Sequence, residues 1–323
     1  MKKTKKARYT LWLLVGLATY MAIAPSAMVT KIMANSGIDP YAFSIIRYTA
    51  MLACILLPAA YALFKHRKMV KRYLPALLIG SICLALSNIA YTVAIGMGQA
   101  SHVSIINLLT PIFLVVLSAK LMHDRVSHRA TVGIILAAIG GAMVVAVPMI
   151  ASGSIDSAIS PWSVALALVN CLLFPISMVY MRRANEKGVP LSVMLALSFF
   201  VNIVISLALE PVFYHTSIFE LAPSISSLNW LVIILYCGVV VALLARILTV
   251  KTYEVVGAAV AGGLEYLHTL IAIVLPIMIL NETLSMEIIG GAVLILLGIY
   301  LTESHHHLSS HAHLAHYHRK ARH

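Results

Sequence analysis

The sequence predicts an all-α polytopic membrane protein, with ten transmembrane helices arranged as two inverted five-helix repeats. Three observations carry this prediction. Of 323 residues, 61% are hydrophobic and only 11% charged, with a mean hydropathy of +0.95; soluble domains carry about 25% charged residues. Apolar runs long enough to cross a ~30 Å hydrocarbon core, about 20 residues each, recur ten times. Landmark residues of the first half return in the second at nearly constant offsets.

In chain order, the ten spans lie at approximately 10–32, 40–63, 73–96, 102–122, 129–150, 160–181, 190–211, 228–250, 256–279 and 285–302. Span 1 follows MKKTKKAR and resembles a signal peptide. Its length and the later recurrence of its landmarks predict an uncleaved span. Pro25, Pro58, Pro111, Pro175 and Pro276 fall inside spans. Each removes a backbone hydrogen bond and predicts a kink, which a membrane bundle tolerates where neighbours or water satisfy the freed carbonyl. Trp12 and Trp162 sit near span ends, as interfacial anchors do.

The net charge of +12 does not mark a nucleic-acid-binding protein, because the basic residues sit in short loops between apolar runs. With the N-terminus placed in the cytoplasm, 21 of the 23 Lys and Arg residues fall on cytoplasmic segments. Lys31 lies outside and Arg47 within span 2. The positive-inside rule therefore places both termini in the cytoplasm; the expected location is a bacterial cytoplasmic (inner) membrane. Cys54, Cys83, Cys171 and Cys237 all lie in apolar runs without CxxC spacing, and read as small buried side chains.

At an offset of 150, Trp12 matches Trp162, Pro25 matches Pro175 and Pro40 matches Pro190; at 158, Asp124 matches Glu282, Gly133 matches Gly291 and Gly140 matches Gly298. The offset grows at the longer loop EPVFYHTSIFELAPSISSLN. Five spans per unit is an odd number, so the second unit enters the membrane upside down. The division is a basic N-terminus (1–9), a first unit (10–150), a second (151–302) and a His-rich tail (303–323). Inverted repeats recur in secondary transporters, whose substrate site lies near the midplane between the halves.

The two units resemble EamA repeats of the drug/metabolite transporter superfamily, ten-span type. The resemblance is carried by PYAFSIIRYTAMLACILL in span 2, by ASHVSIINLLTPIFLVVLSAKLMHDRVSHRATVGIILAAIGG across spans 4 and 5, and by AAVAGGLEYLHTLIAIVLPIMILNETLSMEIIGGAVLILLG across spans 9 and 10. It covers nearly all of residues 8–302. It implies a cavity open alternately to each side and movement of small organic solutes, often outward. The chain departs from that pattern in span 9: Pro276 stands apart from the position matching Pro111, which is Thr269. Glu265, where the family has an uncharged residue, matches Asn107 of the first unit.

Glu265 is the residue hardest to explain as packing. An ionisable group inside a span costs about 2.5 to 3.5 kcal/mol on insertion scales unless paired, hydrated or protonated. It lies about 13 Å along the helix from the cytoplasmic end of span 9, and His268, three residues on, shares its face. Desolvation favours the neutral form of a carboxyl, so one reading makes Glu265 a site that holds a proton or a cationic amine in alternation. The other makes it a structural ion pair with Arg47 or Arg246. Arg47 reads either as shared architecture or as an anion ligand. Arg246 either snorkels to the interface or joins the site. Tyr20, Asn88, Tyr91, Asn107 and Asn170 are the uncharged candidates, with Asn88 and Tyr91 on one face of span 3.

The tail holds eight of the fourteen histidines. His305, His306, His307, His311 and His313 are candidate metal ligands, although no carboxylate or thiol accompanies them and a solvated tail explains them equally. No nucleotide-binding or hydrolase signature occurs. The expectation is a non-enzymatic secondary transporter without cofactor, exporting a small organic metabolite, amino-acid-like or drug-like, by proton coupling or exchange. The proton and the lipid bilayer are its partners, as a monomer or a homodimer. The alternative is a membrane sensor acting through the tail.

Overall fold

The computed structural model describes residues 2–122, 128–151, 160–213, 218–245, 248, 252, 255 and 258–301. Among these residues every regular element is helical. Polar groups of the backbone have no water to bond in a hydrocarbon core, and a bundle of helices satisfies them within each segment. The surface confirms the solvent: Leu57, Phe64, Trp162 and Phe219 are 71–82% exposed, whereas Ser44, Ser81, Ser87, Ser101, Ser177 and Ser206 are fully buried. A soluble protein reverses that distribution.

Tyr9–Asn35, Ala100–Leu117, Pro161–Glu186 and Leu191–Phe213 are each long and apolar enough to cross a membrane. They match spans 1, 4, 6 and 7. Thr131–Val144, Ser227–Val241, His268–Leu280 and Met286–Leu301 supply apolar helix for spans 5, 8, 9 and 10. Spans 2 and 3 are two helices that meet within Pro40–Met97, where the sequence predicts a loop. The basic linker is made of good helix formers, so both helices run into it and are separated at His66, whose φ of −110° and ψ of 21° are not helical.

That turn is a reversal of direction. Ser198 meets Ser81, with Oγ atoms 3.1 Å apart, and the next residue, Phe199, packs against Tyr48 with ring centroids 5.7 Å apart. Along a straight helix Tyr48 and Ser81 would be about 50 Å apart. Pro40 and Gly96 touch, since a β-carbon on Gly96 would lie 3.3 Å from Pro40 Cγ. Spans 2 and 3 are therefore an antiparallel hairpin, and span 7 packs across both arms.

Two spans are interrupted. Span 1 is helical over Lys2–Ile23 and again over Ser26–Asn35, broken at Pro25. Span 4 is helical over Ala100–Asn107 and Thr110–Met122, broken just before Pro111. Span 8 is wound as a π-helix over Val232–Leu244. The segment before it, which the sequence reads as a plain loop, holds a short helical stretch, Ile218–Ser224, bent by 116° from Ser227–Val241.

The inverted relation between the halves is visible where span 5 meets span 10. A β-carbon on Gly140 would lie 2.6 Å from the Gly291 carbonyl oxygen, and one on Gly298 would lie 2.5 Å from that of Gly133. Gly133 and Gly140 are the repeat images of Gly291 and Gly298. Each glycine thus packs on the image of the other, the self-complementary pattern that a two-fold axis imposes. Small residues let the two backbones approach this closely.

Candidate functional site

Polar residues gather beside the breaks in spans 1 and 4. In span 4, Pro111 cannot donate to the carbonyl of Asn107 and its ring crowds that carbonyl, so the first half-helix ends at Asn107. There the Asn107 side-chain oxygen accepts a hydrogen bond from the Asn170 amide and a longer one, 3.4 Å, from Thr110 Oγ1. Asn170 in turn accepts 2.6 Å from the Ser87 hydroxyl. Cys171 Sγ donates to the Ile106 carbonyl at 3.3 Å. This node ties spans 3, 4 and 6 together, and it is built of neutral groups.

The repeat relation gives the node an image in the other half. Asn170 maps onto Tyr20 at the offset of 150, while Asn107 and Thr110 map onto Glu265 and His268 at 158. Tyr20, 5% exposed, lies against His268, with ring centroids 6.0 Å apart and planes tilted by 53°. His268 Nε2 is buried and makes no hydrogen bond among the described residues. Glu265 stands one turn earlier on the same helix, Ala258–Leu280; its side chain lies outside the described residues, as do Arg246, Asp124 and the tail histidines. Where the first half holds amides and a hydroxyl, the second holds a carboxyl, an imidazole and a phenol.

Arg47 lies in the span 2 arm of Pro40–Met97. It lies about 10 Å along the helix from Pro40, seven residues at ~1.5 Å each. Its guanidinium carbon is 6.0 Å from the Phe43 ring centroid and 5.5 Å from that of Tyr48. Tyr91, Tyr236 and Cys237 are close enough to act on its charge. Among the described residues it forms no ion pair, and Nε is buried without a hydrogen bond. The Tyr236 hydroxyl donates to the Ala22 carbonyl at 2.9 Å, beside the Pro25 break. Tyr91 lies beside Ser104, whose hydroxyl donates to the Ala100 carbonyl at 2.7 Å. Asn88, partly buried like Tyr91, has its carbonyl accepting from Thr92 Oγ1, and its neighbour Ser87 occupies the node.

A second polar group lies at the end of the bundle that carries Pro40, Met97 and Leu280. Glu282 follows span 9 and accepts from the Ala100 and Ser101 amides, both at 2.8 Å, and from the Ser101 hydroxyl. A carboxylate on open helix N–H groups is the favoured pairing at a helix start. Beside it a cavity of about 300 Å³ is lined by Lys31, Asn35, Met97, Gly98, Gln99, Leu280 and Glu282. The Lys31 ammonium donates to the Gly96 carbonyl at 3.2 Å. At the same end Asp39 caps the span 2 helix through Oδ1, accepting from the Tyr41 and Ala42 amides at 2.9 and 2.8 Å. Burial pushes its carboxyl above the usual carboxylate range, with the two amides pulling the other way.

Ser87 and Glu210 are absent from the sequence candidates. Serine is too common in membrane helices to signal a node by itself. Glu210 did carry a signal, a single carboxylate within an apolar run; it is 2% exposed, with Oε1 unpartnered among the described residues.

The sequence model of the EamA-like transporter family matches residues 10–146 and 161–304. No curated protein matches. Fourteen chains of solved structures do. One, titled "Crystal structure of protein", superposes with a TM-score of 0.57 at 17% identity, covering 90% of this chain and 94% of its own. At that identity the likeness concerns the fold.

Proposed function

Because the chain belongs to the EamA-like transporter family, we propose that it is a secondary transporter exporting a small organic metabolite by alternating access. Movement is powered by the proton gradient or by exchange. The observation that supports this most is the crossed glycine packing of Gly140 on Gly291 and of Gly298 on Gly133. Two halves related in this way can exchange conformations, which opens a shared central site to one side and then to the other.

In this reading Glu265, His268 and Tyr20 form the coupling side of the site, in the place where the first half has Asn107, Thr110 and Asn170. A neutral amide cannot take up a proton; a carboxyl can. Glu265 carries the proton or a cationic amine, and His268, whose Nε2 has no hydrogen-bond partner among the described residues and whose ring lies beside Tyr20, relays or stabilises it. Arg246, near the end of span 8, serves as a counter-charge. Tyr91 and Asn88 line the opposite wall. The chain acts in a bacterial cytoplasmic membrane with both termini inside.

Reconstitution tests the reading. Proteoliposomes holding the full chain are assayed for uptake of radiolabelled amino acids, amines, aromatic carboxylates and nucleotide derivatives, with and without an imposed pH gradient. Gradient-driven accumulation or counterflow of at least one class supports it. Absence of both for every class contradicts it.

A further inference from the structure

We infer that Arg47 is the docking point for a carboxylate group on the transported solute, an assignment that rests on the transport reading above. A guanidinium inside a membrane bundle is normally paired with a carboxylate or spread over carbonyl oxygens, because an unpaired charge is costly there. Arg47 has neither: it forms no ion pair or hydrogen bond among the described residues. Its neighbours are the rings of Phe43 and Tyr48, with Tyr91, Tyr236 and Cys237 nearby. Cation–π contact offsets part of the cost and satisfies no N–H donor.

Phe43, Ile46 and Tyr48 are 1%, 6% and 5% exposed, yet Arg47 between them keeps accessible surface. Arg47 is thus the partly accessible member of a group of buried residues. A planar fork of donors matches a carboxylate in two parallel hydrogen bonds. The site supplies one fixed positive charge and aromatic walls. A singly charged carboxylate is neutralised by it, whereas a doubly charged phosphate would keep an uncompensated charge in a poorly hydrated place. The rings suit an apolar or aromatic body behind the carboxylate.

Binding to the purified full chain in detergent tests the assignment, read as ligand-induced rise in melting temperature and as affinity by titration. The probes are phenylacetate, its neutral isostere phenylacetamide, and phenyl phosphate. The wild-type chain is expected to bind phenylacetate roughly tenfold or more tightly than phenylacetamide, a discrimination that needs no variant. Arg47→Gln is expected to remove the preference and Arg47→Lys to keep part of it, since the charge survives without the fork. Equal binding of acid and amide, no binding of either anion, or an Arg47→Gln chain that keeps the preference would each overturn the assignment. Tighter binding of phenyl phosphate would overturn the carboxylate in favour of a phosphate. Counterflow in proteoliposomes separates the two readings: flux of the amide alone overturns the Arg47 site and keeps the transporter. Binding of phenylacetate without flux of any solute keeps the site and overturns transport.

Discussion

Gly140 and Gly291 meet backbone to backbone, each so close that a β-carbon would lie within 2.7 Å of the other's carbonyl oxygen. The obstacle is main chain, which cannot swing aside. Gly140→Ala and Gly298→Ala should each destabilise the protein by about 1–3 kcal/mol, the cost of overpacking a close contact. Gly290 is the control. A methyl group there meets nothing closer than Met143 Cε at 3.8 Å, so Gly290→Ala should be neutral or mildly stabilising. Unfolding in mixed micelles measures all three, and equal effects at Gly140 and Gly290 would contradict the packing.

Glu282 joins the end of span 9 to the start of span 4. Glu282→Ala leaves the Ala100 and Ser101 amides without their acceptor, at an expected cost of about 1.5–3 kcal/mol for bonds to a charged group. Glu282→Gln should recover part of this and Ser101→Ala should cost less, because only the hydroxyl is lost. The same unfolding assay orders the three variants.

Asn170 bridges Ser87 and Asn107. Asn170→Leu should cost about 0.6–1.7 kcal/mol, the range for interhelical hydrogen bonds in membranes. Transport should suffer more than stability, since the node lies beside the span 4 break. Proteoliposome flux and melting temperature, measured on the same preparation, separate the two effects.

The charge distribution predicts an orientation with both termini in the cytoplasm. A fluorescent protein fused after His323 should fluoresce, and alkaline phosphatase fused there should be inactive, as cytoplasmic fusions are. The opposite pattern would invert the topology.

Much of this architecture is legible in the sequence for a simple reason. Apolar length and loop charge are one-dimensional signals, and the repeats place Trp12, Pro25 and Gly133 beside their images by counting alone. Pro25 and Pro111 mark the breaks in spans 1 and 4. The turn at His66 is less visible, because Lys, Arg and His are helix formers as well as loop residues. The glycine offsets identify images but do not reveal that Gly140 packs on the image of Gly133, which is a property of the two-fold axis in three dimensions. In the site, Asn107, Asn170 and Tyr91 stood out as polar residues in apolar runs. Ser87 did not, since its importance comes from what it touches. Arg47 was legible as a charge; that no carboxylate meets it among the described residues was not.

The central claim is that the second half turns a neutral node into a titratable one at Glu265. Gradient-driven accumulation in proteoliposomes, for a solute that the wild-type chain concentrates, tests it most directly when Glu265→Gln is compared under the same pH gradient. The account predicts that the variant loses accumulation while keeping solute counterflow, because binding and alternation remain and only the proton is gone. Accumulation by Glu265→Gln at the wild-type level would contradict it.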